Sequence, residues 1–362
     1  MKKTILLVYS GECHGLPPLL TILDALHDVY NLKLLSYEKA TSRKVLENTH
    51  PDVEFLSKSV RPDEESFSNK VIRHLYFPIK YHKEVKRLVE ITLYDLLWVI
   101  HEKTLFEFQS FLSKKKYIVS FYELNDHNWS FIQKTQEGVR NAEHVICCEH
   151  NRSRIMRVWY KLPYNPSVIP NKPYNHPRQK ELPCPHSDLL KGKKIILYQG
   201  HVQRARNIDT LCEALTDLPE FTLVVMGGGD KEYIDHLKQN YKNIIFIGFV
   251  TPPRHLNITS YAHIGVVKYD HIFLDHTYCA PNKIWEYSGF GIPILANDLP
   301  GLEYTIGVTK AGLCVDFDRK ETIKSAILKI DTDYSSFSNK AKEFYNSFDV
   351  KKALLLIVDS KI

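Results

Sequence analysis

Between positions 162 and 189, seven prolines (Pro163, Pro166, Pro170, Pro173, Pro177, Pro183 and Pro185) interrupt a chain whose flanks alternate short apolar runs with longer amphipathic ones. Proline lacks an amide hydrogen and fixes φ, so a stretch this dense forms neither a helix nor an interior strand. The interruption divides 362 residues into two halves, each of a size that buries its own core. It predicts domains over 1–165 and 191–345 and a linker over 166–190. A C-terminal helix over 346–362 packs back on another element, because Ala353, Leu354, Leu355, Leu356 and Val358 are too apolar to face water on all sides.

Within each half the pattern is that of βαβ units around a buried parallel sheet. Strands are expected over 5–9, 32–36, 53–56, 93–100, 117–121 and 144–148, and again over 194–198, 221–226, 244–247, 263–267, 292–296 and 312–317. Helices are expected over 18–27, 79–91, 103–114, 131–141 and 152–160. The fold class is therefore α/β, two Rossmann-like domains. A central cleft is expected at the carboxyl ends of the sheets, where open α/β folds bind ligands.

Bulk properties exclude several functions. A formal charge of +6 is small for this length, and the basic residues form no recognition stripe, so no nucleic-acid partner is expected. The seven cysteines show no paired CxxC spacing, which argues against a zinc ribbon or a disulfide framework and for reduced thiols in a cytoplasm. The apolar run 5–8 is too short for a signal-peptide core, and no segment has the length to cross a bilayer. Lys80, Lys83 and Arg87 share a helical face next to Leu75, Tyr76 and Phe77, which leaves peripheral contact with anionic lipid beside the plainer reading of a solvated face. Asp270-His271 and Asp275-His276 match no familiar ligand spacing, so no metal is expected there. The run Gly227-Gly228-Gly229 lacks the GxGxxG spacing of a nicotinamide site.

Two stretches carry chemistry. After the first strand of the second half comes YQGHVQRARNIDTL, Tyr198 to Leu211: a strand, Gly200, a basic loop with His201 and Arg206, then a helix start. Backbone amides and an arginine so placed cradle phosphate, although a solvated basic loop reads the same way. Further on stands APNKIWEYSGFGIPILAND, Ala280 to Asp298. Pro281 suits a first helical turn, which leaves the amides of Asn282 and Lys283 free at a positive helix end. Glu286, three residues past Lys283, either forms a salt bridge with it or accepts hydrogen bonds from a vicinal diol such as ribose.

Taken in order with LVVMGGGD (Leu223 to Asp230) and IIFIGFV (Ile244 to Val250), these landmarks resemble the donor-binding domain of glycosyltransferase family 4, retaining enzymes of GT-B fold. The resemblance implies a nucleotide-diphosphate-sugar donor, no cofactor and no metal, with Arg206 and Lys283 on the diphosphate and His201 at the position of the family's other cation. It implies two glutamates eight residues apart, one toward the donor sugar and one toward the ribose. Glu286 matches the second and Tyr278 stands at the first, so Asp275 or His276 is left to supply the sugar contact. In the N-terminal half the resemblance rests on a glycine-containing loop with Gly11, Glu12 and His14, and on Tyr122-Glu123, where relatives often have histidine before the acid. It makes Gly11, Glu12, His14 and Tyr122 candidates on the acceptor side, and Glu123, His127 and His101 candidates near the cleft; Glu123 and His101 are the catalytic candidates, although for His101 a satisfied structural histidine is the plainer reading. The function so implied is transfer of a hexose to a glycan or lipid-linked acceptor in cell-surface polysaccharide or glycoconjugate synthesis. Nucleotide-sugar epimerases share the two-domain layout, and a non-catalytic nucleotide-sugar-binding subunit is the third reading, prompted by Tyr122 and Tyr278.

Overall fold

A computed structural model describes residues 2–61 and 77–362; Leu75 and Tyr76, named above for lipid contact, lie outside the described residues. The chain divides into two compact units, Met1–Asn175 with Asp349–Ile362, and His176–Phe348.

The first unit holds strands β1 (Thr4–Tyr9), β2 (Asn31–Ser36), β3 (Val53–Phe55), β4 (Leu96–Ile100), β5 (Ile118–Ser120), β6 (His144–Cys147) and β7 (Ser167–Val168). Its helices are α1 (Pro17–Leu26), α2 (Ala40–Thr49), α3 (Phe77–Ile91), α4 (Glu102–Leu112), α5 (Trp129–Asn141) and α6 (His150–Trp159). All neighbouring strands are parallel, in the order β3-β2-β1-β4-β5-β6-β7. In the second unit α7 (Ser187–Leu190) precedes β8 (Lys194–Gln199), α8 (Asp209–Thr216), β9 (Phe221–Met226), α9 (Lys231–Asn240) and β10 (Ile244–Phe246). Then follow α10 (His255–Thr259), β11 (Ala262–Val267), α11 (Leu274–Thr277), α12 (Asn282–Gly289), β12 (Ile294–Asn297), α13 (Pro300–Leu302), β13 (Gly312–Val315), α14 (Lys320–Thr332) and α15 (Tyr334–Asn346). This sheet is also parallel, in the order β10-β9-β8-β11-β12-β13. The last helix, α16 (Val350–Asp359), joins the first unit and packs on α1, where Lys351 Nζ meets Asp28 Oδ2 at 2.5 Å.

Two parallel α/β sheets are what the alternating pattern predicts. Their strands are apolar almost throughout because helices cover both faces. In β8, Ile195 and Leu197 enter one buried cluster while Ile196 and Tyr198 enter the other. In each sheet the strand order reverses once, between β1 and β4 and between β8 and β11. There the connections leave to opposite faces and open a crevice at the strand ends. The loops after β1 and β4 carry Gly11, Glu12, His14 and His101, and those after β8 and β11 carry Gly200 to Arg206 and Tyr269.

Two glycines set the second crevice. A Cβ on Gly265 in β11 would fall 2.4 Å from the Tyr287 ring of α12, whose hydroxyl donates to the carbonyl of Leu197 at 3.0 Å; the missing side chain lets α12 lie against β11 and β8. A Cβ on Gly227 would fall 1.8 Å from the carbonyl oxygen of Gly200. Gly227→Ala must therefore push the loop after β8 out of place. We expect a loss of about 3 kcal/mol in urea-unfolding stability, against no more than a few tenths for an alanine at exposed Gly15, where an added Cβ meets nothing within 4 Å.

Candidate functional site

The first turn of α12 faces the loop after β8. Pro281 is the N-cap and Asn282 the first helical residue, one position later than the sequence suggests; the amides of Asn282 and Lys283 still precede any intrahelical carbonyl. Lys283 is buried, and its Nζ has no hydrogen-bond partner. The Nε of Arg206, carried on the single 3-10 turn Arg204–Arg206, is likewise buried and unpartnered. The two cations meet over Gly200: a Cβ built there would stand 3.1 Å from Lys283 Nζ and 3.7 Å from Arg206 Nη1.

Aromatic faces hold this pair. The Arg206 guanidinium lies 4.6 Å from the centre of the Tyr269 ring, and Lys283 Nζ lies 5.3 Å from Tyr269 and 5.6 Å from Tyr198. Cation–π contacts offset part of the cost of dehydrating two like charges. Burial, and then the Arg206 charge, push Lys283 down to about 7 against the opposing pull of Glu286. A buried cation with no counter-charge bonded to it, at a helix N-terminus beside a second cation, has the electrostatics of an anion site.

Glu286 lies one turn further along. No ion pair links it to Lys283; Oε1 is 3.0 Å from His255 Nε2, Oε2 accepts from Gln199 Nε2, and Gln199 Oε1 in turn accepts from Thr259 Oγ1 at 2.8 Å. The salt bridge considered from sequence is thus replaced by longer-range partners. α12 is buried from Lys283 to Gly289, so His255 and Gln199 reach Glu286 from neighbouring elements. Burial pushes the Glu286 carboxyl up, but the charge and hydrogen bond of His255 together with Lys283 outweigh it and hold it below the ordinary glutamate value. His176 Nε2 lies 2.9 Å from the backbone carbonyl of Glu286. Burial pushes this imidazole down to about 4, so near neutral pH it is uncharged and donates to that carbonyl.

His201 is exposed and takes part through its backbone carbonyl, which accepts from Tyr198 Oη at 2.8 Å. Asp275 and His276 sit on α11, with His276 Nδ1 2.8 Å from Asp270 Oδ1 and the His276 ring centre 5.7 Å from that of Tyr269. Tyr278 follows α11 as its C-cap. In the first unit, His101 has φ +78° and caps α4, its Nδ1 accepting from the amide of Lys103 at 3.2 Å; its ring centre stands 6.1 Å from those of Tyr9 and Tyr122. Tyr122 is buried, its amide donating to Glu102 Oε2 at 3.2 Å. Glu123 Oε2 is 3.5 Å from Arg152 Nη1. Gly11 accepts the amide of Tyr37 at 3.2 Å, and Glu12 and His14 lie together, 3.7 Å apart.

Sequence reasoning missed Gln199, Tyr269 and His255. The first two were findable, since they end or follow the strands that flank the reversal of the second sheet. His255 belongs to a helix of five residues, and nothing in the local pattern marks it.

The second unit is therefore a Rossmann-like domain with a cationic recess at its strand-order reversal. Residues 185–346, a little under half of the chain, match the family model described as glycosyl transferases group 1. Over 201 residues it is 26% identical to alpha-galactosylglucosyldiacylglycerol synthase of Streptococcus pneumoniae (strain ATCC BAA-255 / R6), covering 51% of this chain and 47% of that protein; the match spans about half the length of that relative. Among solved structures, sucrose-phosphate synthase from Thermosynechococcus elongatus superposes with a TM-score of 0.73 at 17% identity over 99% of this chain and 98% of that one. Anabaena Alr3699/HepE, solved with UDP and glucose, gives 0.70 at 15% identity over 99% of both chains. At these identities the likeness shows the fold, which is GT-B. Among the described residues no helix is long and apolar enough to cross a membrane.

Proposed function

We propose that the protein transfers a hexose from a nucleoside-diphosphate sugar to a hydroxyl of a glycan or lipid-linked acceptor, with retention and with no metal at the diphosphate, in glycoconjugate synthesis. The observation that carries this reading is the unpartnered, buried Nζ of Lys283 beside Arg206 over Gly200. The match of residues 185–346 to the model of glycosyl transferases group 1 supports it, and favours transfer over epimerisation. As the sugar C1–O bond breaks, positive charge gathers on the sugar and negative charge on the departing phosphate. Lys283, Arg206 and the amides at the head of α12 are preorganised for that negative charge, which is worth most where water is excluded. The acceptor oxygen bonds to C1, and its proton passes to the departing phosphate oxygen. Glu286, fixed by His255 and Gln199, keeps lone pairs for the ribose hydroxyls. Asp275, His276 and Tyr278 are assigned to the donor sugar, and Gly11, Glu12, His14, Tyr122, Glu123 and His101 to the acceptor side. Such chemistry belongs in the cytoplasm, peripheral to the inner membrane face when the acceptor is lipid-linked.

Incubation with UDP-, GDP- and TDP-hexoses tests the reaction class. Transfer to an added acceptor, or slow release of nucleoside diphosphate, is the expected outcome; an isomerised but intact donor, or binding without turnover, contradicts it.

Affinity for the donor should depend on pH through Lys283. The free amine sits at about 7, and a bound diphosphate raises it, so binding takes up a proton in that range. Donor affinity is then flat below pH 7 and falls by up to about tenfold per pH unit above it. Titration calorimetry across pH 6 to 9 reads this directly, and Lys283→Arg should flatten the profile.

A further inference from the structure

The loop after β1 brings Glu12 and His14, assigned above to the acceptor side, close to a third group, Glu38, that has no part in that assignment. One ligand atom each of Glu12, His14 and Glu38 lies within 4.8 Å of the other two, and His14 Nδ1 stands 3.7 Å from Glu12 Oε2. Around a tetrahedral zinc with bonds of about 2.0–2.2 Å, neighbouring ligand atoms are about 3.3–3.6 Å apart. Closing this triangle on such an ion takes side-chain shifts on the order of 1 Å.

Glu38 supplies a second and separate sign. It is 2% exposed; Oε1 accepts the amide of Cys13 at 2.8 Å, while Oε2 is buried without a hydrogen-bond partner. Ser36 Oγ and Tyr37 Oη are also buried and unpartnered. A buried carboxylate oxygen with no donor costs about 1–3 kcal/mol or more, and native structures retain one where an ion or ligand completes it. The remaining neighbours include the buried Cys13 thiol, which burial and then Glu38 push well up. Ser42 Oγ donates to Glu12 Oε2 at 3.1 Å. Arg61 Nη1 is 3.4 Å from Glu12 Oε1, but its side chain is 47% exposed and free to swing out. Arg43 is engaged by Glu47 and by the carbonyls of Phe55 and Ser57. Two carboxylates against Arg61 leave the cluster net negative.

We infer that Glu12, His14 and Glu38 bind one zinc ion. One imidazole and two carboxylates are a ligand set zinc accepts, and three protein ligands leave its fourth position to water or to an incoming oxygen. That position opens on the side of His14, whose side chain is 38% exposed. The site belongs to the N-terminal unit by itself, and no step assigned to Lys283 or Arg206 passes through it.

The test is equilibrium dialysis of the metal-free full chain against Zn2+, followed by elemental analysis. Wild-type protein retains about one equivalent; His14→Ala and Glu38→Gln retain none at the same free zinc. His14 is partly exposed and its replacement leaves the fold intact, so a folding defect in Glu38→Gln does not decide the matter. Because all seven cysteines are free, the dialysis is repeated with Co2+, which should give visible d–d bands without a thiolate charge-transfer band. Absence of stoichiometric binding, equal retention by His14→Ala, or a thiolate band overturns the site.

Discussion

Lys283→Met is expected to lower nucleotide-sugar turnover by about 10²–10³-fold, the cost typical of removing one preorganised donor from a developing negative charge, while the ligand-free protein melts no lower than wild type. The two halves of this result have one cause. Lys283 Nζ is buried with no hydrogen-bond partner, next to Arg206, so in the free protein its charge is a cost. The folded amine sits at about 7 against an ordinary 10.5. Between those values the unfolded chain binds more protons than the folded one, so stability rises with pH there. The contribution is complete above pH 10.5 and is lost as pH falls toward 7. At about 1.4 kcal/mol per pH unit the cost at neutral pH is on the order of a few kcal/mol. Methionine fills similar volume without charge, removes that pH dependence, and cannot meet a diphosphate. Melting curves at pH 7 and 9 together with initial rates check both halves; a variant that is inactive because it is unfolded would refute the argument.

Glu286 should give the second large effect, and two replacements separate its roles. Glu286→Leu strands the largely buried His255 ring and the buried Gln199 amide at once, and should cost about 3 kcal/mol of stability, toward the lower end of what breaking a buried charged pair costs. Glu286→Gln keeps the shape and some of the bonds but removes the counter-charge that His255 and Lys283 face. It should fold, and raise the donor KM by about 10–100-fold, or roughly 1.4–2.8 kcal/mol. If the carboxylate holds the ribose, a donor lacking the ribose hydroxyls is penalised in wild-type protein and hardly at all in Glu286→Gln. Equal penalties in both proteins would place the ribose elsewhere.

The sheets were legible because parallel strands covered on both faces read as plain apolar runs, and β9 (Phe221–Met226) has the bounds that its sequence predicts. What was not legible has identifiable causes. The run 40–49 holds only one buried residue, Leu46. α2 is therefore tied down mainly by Arg43, which reaches Glu47 and the carbonyls of Phe55 and Ser57, and no periodicity announces it. The strand expected over 93–100 begins at Leu96, since Leu93 is 88% exposed and the Asp95 carboxylate is spent on the amide of Thr4 at 2.7 Å. In the proline-rich stretch, Ser167–Val168 extends the first sheet, while His176, Leu182 and Cys184 pack into the second unit. Proline forbids a ladder there without forbidding side-chain packing, so the boundary falls at Asn175 and His176 within what reads as a uniform linker. At the candidate site, the residues adjacent to glycine or opening a helix were findable from spacing. Those that hold Glu286 come from separate strands and turns, and only the folded chain brings them together.

Binding of a nucleoside diphosphate by the cation pair over Gly200 is the central claim. The direct measurement is a thermal-shift panel of UDP, GDP, TDP and their hexoses on wild-type protein and Lys283→Met, because a ligand that binds the folded state raises its melting temperature. At least one nucleotide, with its sugar, should raise the wild-type melting temperature by several degrees at about 100 times its Kd, and should leave Lys283→Met unmoved. No shift with any of them, or the same shift in both proteins, would contradict it.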